Sequence, residues 1–315
     1  MAVYALAFIA FAIDLAKRSS AVTEAEATEA GRASTVAASA GGSTQTLTKL
    51  SARIVNDAST PYGRSPSLRV GVSLTVIAFI LQVLATVLRG VAAGRVPWAN
   101  MYEFAMTGTA VIVLVYLVVL TKVDLRFLGT FVTGLVLVML GVASLNFYVD
   151  VVPLPPALQS VWLIIHVFVA TLATGFFALG FALSVAQLLQ HRREGIAAGA
   201  KSVRLRLLST LPSSVTLENL AYRVSIVGFI LWTFTLMAGS IWAEKAWGRY
   251  WGWDTKEVWT FIIWTIYAGY IHARATRGWR GSRSAWLAII GFGAVMFNFT
   301  IVNMFFKGLH AYSGL

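Results

Sequence analysis

Between residues 242 and 259 the chain reads Trp242-Ala-Glu-Lys-Ala-Trp247-Gly248-Arg249-Tyr250-Trp251-Gly252-Trp253-Asp254-Thr-Lys256-Glu257-Val-Trp259, five Trp and one Tyr in eighteen residues. Indole rings favour the headgroup level of a bilayer, and an interfacial belt accounts for Trp242 and Trp259. It accounts less well for the centre, where Gly248 and Gly252 remove bulk beside the rings and open the backbone to a flat object. If the stretch is helical, Trp247 and Trp251, four apart, share one face. Aromatic faces beside Lys245, Arg249 and Lys256 suit a planar apolar ligand with carboxylates, and haem is one such ligand. Composition alone leaves belt and ligand site both open. Asp254, with Glu257 three residues on, has the form of a capping box, so its direct role is expected to be starting the next helix and holding the Trp cluster rigid.

Four histidines accompany this segment: His166, His191, His272 and His310. His191 opens the basic run His191-Arg192-Arg193 and reads as a solvated loop residue. His166 and His310 are expected near the same membrane face as the Trp-rich loop, where two neutral imidazoles suffice for a six-coordinate haem. His272 is expected a full membrane thickness away, at a second site or a point of admission for the same ligand. Histidines within spans also serve as hydrogen-bonded packing residues, but an ionisable group in hydrocarbon carries a functional presumption. The chain has no cysteine, which excludes disulfides, thiolate metal sites, iron–sulfur ligation and thiol–disulfide exchange by the chain itself.

The elements that position these residues are membrane helices. The 315 residues are 58% apolar and 12% charged, against roughly 45–50% and 25% in soluble domains. Spans of the ~20 apolar residues that a bilayer requires are expected at Val3–Leu15, Val70–Leu88, Met101–Thr121, Phe127–Phe147, Ser160–Leu189, Tyr222–Trp242, Val258–Ile271 and Ala285–Phe306. The first and seventh are short and need flanking residues to complete a crossing. The fold class is therefore all-α and polytopic, with about eight transmembrane helices. Nineteen of the 25 Lys and Arg fall on the side reached after the first span, which places both termini extracytoplasmic. The net charge of +12 is then topological, and no nucleic-acid surface is needed to explain it. Residues 1–16 read as a retained transmembrane anchor, since Asp14, Lys17 and Arg18 follow the apolar stretch directly and no small-residue cleavage site is evident. Residues 17–69 read as a cytoplasmic linker, partly disordered, with a weak signal for a surface helix at Leu47, Leu50 and Ile54. Residues 70–315 form the expected seven-helix core.

The segment Trp247-Gly-Arg-Tyr-Trp251-Gly-Trp253-Asp254-Thr-Lys-Glu257-Val-Trp259 resembles the tryptophan-rich WWD signature, WGxxWxWDxxExW, of the CcsA/ResC (CcsB) family of cytochrome c assembly proteins. Asn100-Met-Tyr102-Glu103, Pro156 to Trp162 leading to His166, Leu217 to Arg223, and Val302-Asn303 before Gly308-Leu309-His310 extend the resemblance over roughly residues 97–314. A Trp-rich loop with correctly placed histidines is a specific combination.

That resemblance implies a haem-handling protein of the system II type in the plasma membrane, with its haem-presenting face extracytoplasmic. It implies that His166 and His310 ligate the iron of haem b at an outer site. His272 would be an intramembrane ligand near the cytoplasmic side, opposed by a histidine of a ResB-type partner subunit. Trp247, Trp251 and Trp253 would be the platform, held by Asp254, with Arg249 and Lys256 as propionate partners. The haem would be offered to the Cys-x-x-Cys-His motif of an apocytochrome c, with thiol reductants supplied by other proteins. The chain would then be a subunit of a holocytochrome c synthase of the haem lyase type. A haem transporter or chaperone without attachment chemistry uses the same residues. A b-type electron-transfer subunit is disfavoured because His272 has no facing histidine in the chain. A solute transporter without haem is the weakest alternative.

Overall fold

The computed structural model describes residues 1–39, 65–151, 159–197, 208, 210–276, 278–306 and 308–309. Among the described residues the regular structure is helical: α1 (Ala2–Ser39), α2 (Pro66–Ala93), α3 (Met101–Leu120), a 3-10 turn (Arg126–Leu128), α4 (Gly129–Asn146), α5 (Val161–Ala197), α6 (Ser214–Trp247), α7 (Thr255–Ala275), α8 (Ser282–Phe299) and α9 (Ile301–Phe305). Helix starts carry the expected side-chain caps: Ser65 accepts from the Leu68 N–H ahead of Pro66, Asn100 from Glu103, and Ser213 from Thr216.

Among the described residues, six stretches are long and apolar enough to cross a bilayer: α2, α3, α4 with its preceding turn, α5, α6, and α8 with α9. The chain is a multi-pass membrane protein. Outside that set lie α1 and α7, the two whose apolar runs are short in the sequence. α7 opens with Thr255, Lys256 and Glu257, which lowers its hydropathy, yet its 21 residues at ~1.5 Å each give about 31 Å, the thickness of the hydrocarbon core.

α1 continues to Ser39, well past residue 16, because the Ala- and Glu-rich stretch after Arg18 is made of good helix formers. The surface helix suggested at Leu47, Leu50 and Ile54 lies outside the described residues. The first half of α1 packs into the bundle, against α2 and α4. The Phe11 ring fills the space left by Gly71 and Gly129, and the Tyr4 hydroxyl donates to Gln82, which donates onward to Thr109 and the Met106 carbonyl.

The core is centred on α5, whose Phe177 stacks on Tyr267 of α7 at 3.6 Å and whose Phe181 stacks on Phe292 of α8 at 4.8 Å. Both ends are tied by buried charges. At the end away from the Trp-rich loop, Glu218 pairs with Arg274 at 2.8 Å and accepts from the Gly281 N–H. At the loop end, Glu103 is fully buried between Arg89 and Arg95 and also accepts from the Ala99 N–H. The start of α1 and the Gly308–Leu309 segment both lie at this loop end.

Candidate functional site

The Trp-rich segment is a helix end, a loop and a helix start. α6 stops at Trp247 because Gly248 takes the left-handed conformation (φ 72) and its N–H closes onto the Glu244 carbonyl at 2.8 Å. Trp247 and Trp251 therefore do not share a helical face. Trp247 packs edge-on against buried Trp242 at 4.7 Å, while Trp251 meets Trp253 edge-to-face at 5.9 Å. Trp253 has φ 59, the left-handed region that costs an L residue ~1–2 kcal/mol. Glu257 holds the loop in this shape, its Oε2 accepting the Gly252 and Asp254 N–H groups at 2.8 and 3.0 Å. Asp254 forms the expected capping box with Glu257.

His166, on the second turn of α5, is fixed on two sides. Its Nδ1 lies 3.0 Å from the Thr235 carbonyl of α6, and a carbonyl there makes Nδ1 the protonated nitrogen and Nε2 the one with the lone pair. The imidazole stacks on Trp242 at 5.8 Å with 15° between planes. It passes so close to Gly239 that a Cβ there would stand 2.7 Å from its Cε1. A hydrogen-bonded, sterically fixed imidazole of defined tautomer is how proteins present histidine to a metal.

His166 lines a cavity enclosed by residues of α3, α5, α6, α7 and α8 and open beside the Trp-rich loop. Two of its walls differ. The α3 and α5 wall is mainly apolar, with Phe104, Ala105, Ile112, Leu163, Val167 and Ala170. The α7–α9 wall is mixed, with Lys256, Glu257, Thr260, Asn298 and Asn303 beside Val295, Met296 and Phe299. Tyr250 and Trp251 stand at the loop side, and Trp232 with Met139 and Met296 lies deeper. The Lys256 ammonium donates to the Asn303 Oδ1. Four buried polar atoms on these walls have no hydrogen-bond partner among the described residues: Trp98 Nε1, Asn100 Nδ2, Glu257 Oε1 and Asn298 Oδ1. Buried polar groups are normally satisfied, so these four offer hydrogen-bond positions to a molecule or ordered water in the cavity; ten other such atoms lie elsewhere among the described residues. A mostly apolar molecule carrying a few polar groups suits such walls.

Of the residues singled out in the sequence, His166, Trp251 and Lys256 line this cavity, whereas Trp247, Trp253, Arg249 and Asp254 do not. Trp253 is 78% exposed. Arg249 lies across Gly252, which has room for it only because it lacks a Cβ. His272 sits exposed on the last turn of α7 at the opposite end of the bundle, about 27 Å along the helix axis from Asp254. His310 lies outside the described residues; Leu309 before it donates its N–H to Asp254 Oδ1 at 3.1 Å. No cluster of three or more His, Asp or Glu able to hold a bare metal ion occurs among the described residues. Sequence reasoning passed over Trp242 as belt and left out Trp98, Trp232 and Asn298. For Asn298 a signal existed, a lone amide in an apolar span.

The cavity lies within residues 98–310, which match the family model of the cytochrome C assembly protein. The chain is 34% identical over 259 residues to the cytochrome c biogenesis protein CcsA of Guillardia theta, covering 78% of this chain and 86% of that relative. It is 35% identical over 271 residues to CcsA of Prochlorococcus marinus, covering 76% and 82%. It is 33% identical over 263 residues to CcsA of Synechococcus elongatus, covering 71% and 81%. The Trp-rich loop, the His166 wall and the walls facing it thus fall in the part of the chain shared with these proteins, and the chain belongs to the cytochrome c assembly protein family.

Proposed function

We propose that the chain serves cytochrome c biogenesis by holding haem b in the loop-end cavity and presenting it for thioether attachment to an apocytochrome c. The observation that carries this reading is His166: tautomer set by the Thr235 carbonyl, ring stacked on Trp242, placed on a two-sided cavity. Its Nε2 supplies one axial bond to the iron, and His310 supplies the other. Trp251 covers a porphyrin face, Trp247 supports Trp242 behind the imidazole, and Trp253 stands at the rim where the acceptor peptide arrives. Lys256 takes a propionate from within the cavity, and Arg249 takes one from the solvent side.

The excess of basic residues on the other side of the bundle supports an extracytoplasmic loop end in the plasma membrane, with α1 and α7 completing eight crossings and both termini outside. Exposed His272 receives haem at the cytoplasmic side together with an imidazole from a ResB-type partner subunit. Held between His166 and His310, the vinyl groups meet two reduced thiols of the Cys-x-x-Cys-His motif, and proximity supplies much of the acceleration. The acceptor histidine displaces one axial ligand and so weakens the site at release. Reductants for those thiols come from other proteins.

Reconstitution of the chain with its partner, haem and a Cys-x-x-Cys-His peptide under reducing conditions tests this. Covalent haem on the peptide is expected, and its loss in His166→Ala. Haem binding without any covalent product would remove the attachment step and leave a transporter or chaperone.

A further inference from the structure

We propose that Asn303 is a positioning residue that holds the Lys256 ammonium on the cavity wall without adding a countercharge, and so sets the preference of the site for a ligand that carries carboxylates. The inference rests on the reading of Lys256 as a propionate partner. The membrane span that begins at Ser282 is interrupted: α8 ends at Phe299, Thr300 turns with φ −94 and ψ −72, and α9 resumes at Ile301. A carbonyl at such a break needs a donor from within the protein. The Phe299 carbonyl finds it in the Asn303 side chain, whose Nδ2 donates at 2.7 Å. The oxygen of the same amide, Oδ1, accepts from the Lys256 ammonium. A carbonyl takes only a donor and an ammonium only an acceptor, so both partners fix the same orientation of the amide. Asn303 is 8% exposed and lines the cavity together with Lys256.

Lys256 is an unexpected residue where it stands. It is the second residue of α7, and a cation in the first turn opposes the helix dipole. A lysine side chain is a flexible stem with a compact charge at its tip, so its direction must be set by a partner. Glu257 Oε1, buried on the same cavity wall with no hydrogen-bond partner among the described residues, is a rival acceptor for that ammonium. An ion pair there would cancel the charge offered to the cavity. The Asn303 amide is neutral: it takes one of the three ammonium donors and leaves the charge in place. An ammonium ordered before the ligand arrives also spares part of the ordering cost of binding. One amide thus closes the break in the α8–α9 span and aims the cation across to α7.

Purified full-length protein is titrated with haem and with haem dimethyl ester, whose two carboxylates are blocked, and the ratio of the two affinities is read by absorption. Lys256→Met should lower the preference for the diacid about tenfold or more, the scale of a charge-assisted hydrogen bond. Asn303→Leu should lower it by a similar factor, and the double variant should fall no further than Lys256→Met alone. Asn303→Asp has the same shape but sets a countercharge against the ammonium. It should also lose the preference, and it keeps the test decisive if the leucine variant does not fold. An Asn303 that only braces the helices would weaken both ligands alike and leave the ratio unchanged. That result, beside a lowered ratio in Lys256→Met, overturns the positioning role alone. Losses that add in the double variant overturn it too. An unchanged ratio in Lys256→Met removes Lys256 as the carboxylate partner, and the positioning role with it, while leaving haem binding at His166 to its own variant. Failure of the wild type to bind either porphyrin overturns the haem reading itself.

Discussion

Glu218 and Glu257 are both buried carboxylates, one at each end of the bundle, and they are satisfied in different ways. Glu218 faces the Arg274 guanidinium, accepts the Gly281 N–H with its other oxygen, and Arg274 in turn donates to Asn219. Glu257 has no cation paired with it among the described residues. Its Oε2 takes two loop N–H groups, and its Oε1 is left without a partner on the cavity wall. Glu218 Oε1 likewise accepts no hydrogen bond but faces a guanidinium at 2.8 Å, whereas Glu257 Oε1 has neither, and an unsatisfied buried acceptor is costly. The first carboxylate ties α6 to α7 and α8; the second shapes a loop and leaves one oxygen on the cavity wall.

The contrast can be broken by mutation. Glu218→Ala leaves Arg274 buried without its counterion and should cost about 3–5 kcal/mol, read as a lowered midpoint of thermal unfolding in detergent, with an unaltered haem spectrum in the protein that remains folded. Glu257→Ala removes two charge-assisted bonds and should cost about 1.5–3 kcal/mol, but with lower haem occupancy. Equal stability losses and equal haem content in the two variants would erase the difference between the ends. Gly239→Ala places a methyl against the His166 ring and should cost about 1–3 kcal/mol by overpacking, while shifting the haem absorption because the ring must turn. Asn298→Leu should change stability by less than about 1 kcal/mol, since the amide makes one long bond to Thr260 at 3.4 Å, leaves its oxygen unpartnered and is exchanged for an apolar side chain of similar size, and should reduce haem retention in equilibrium titration.

Much of this organisation is legible in the residue order. The apolar runs mark the helices, and the weaker hydropathy of α1 and α7 was already apparent from Asp14, Lys17 and Arg18 and from Thr255, Lys256 and Glu257. The capping box at Asp254 is a local pattern and is found where local pattern puts it. What spacing misjudged is the continuation of α6: a period of four relates Trp247 to Trp251 only while the helix lasts, and Gly248 ends it. The end of α1 was obscured for the opposite reason, because Ala- and Glu-rich sequence serves both linkers and helices. Trp242, Trp98 and Asn298 owe their place at the cavity to helices far apart in sequence. Long-range packing of that kind leaves no periodic trace, and a single Trp at a helix end reads the same whether it meets lipid or stacks on His166.

The account stands on His166 as an iron-binding imidazole. Haem content and absorption spectrum of the purified chain, compared between wild type, His166→Ala and His191→Ala, test it most directly. The account predicts wild-type haem in His191→Ala, and loss or conversion to a five-coordinate spectrum, rescued by imidazole, in His166→Ala. Identical haem content and spectrum in all three proteins would contradict it.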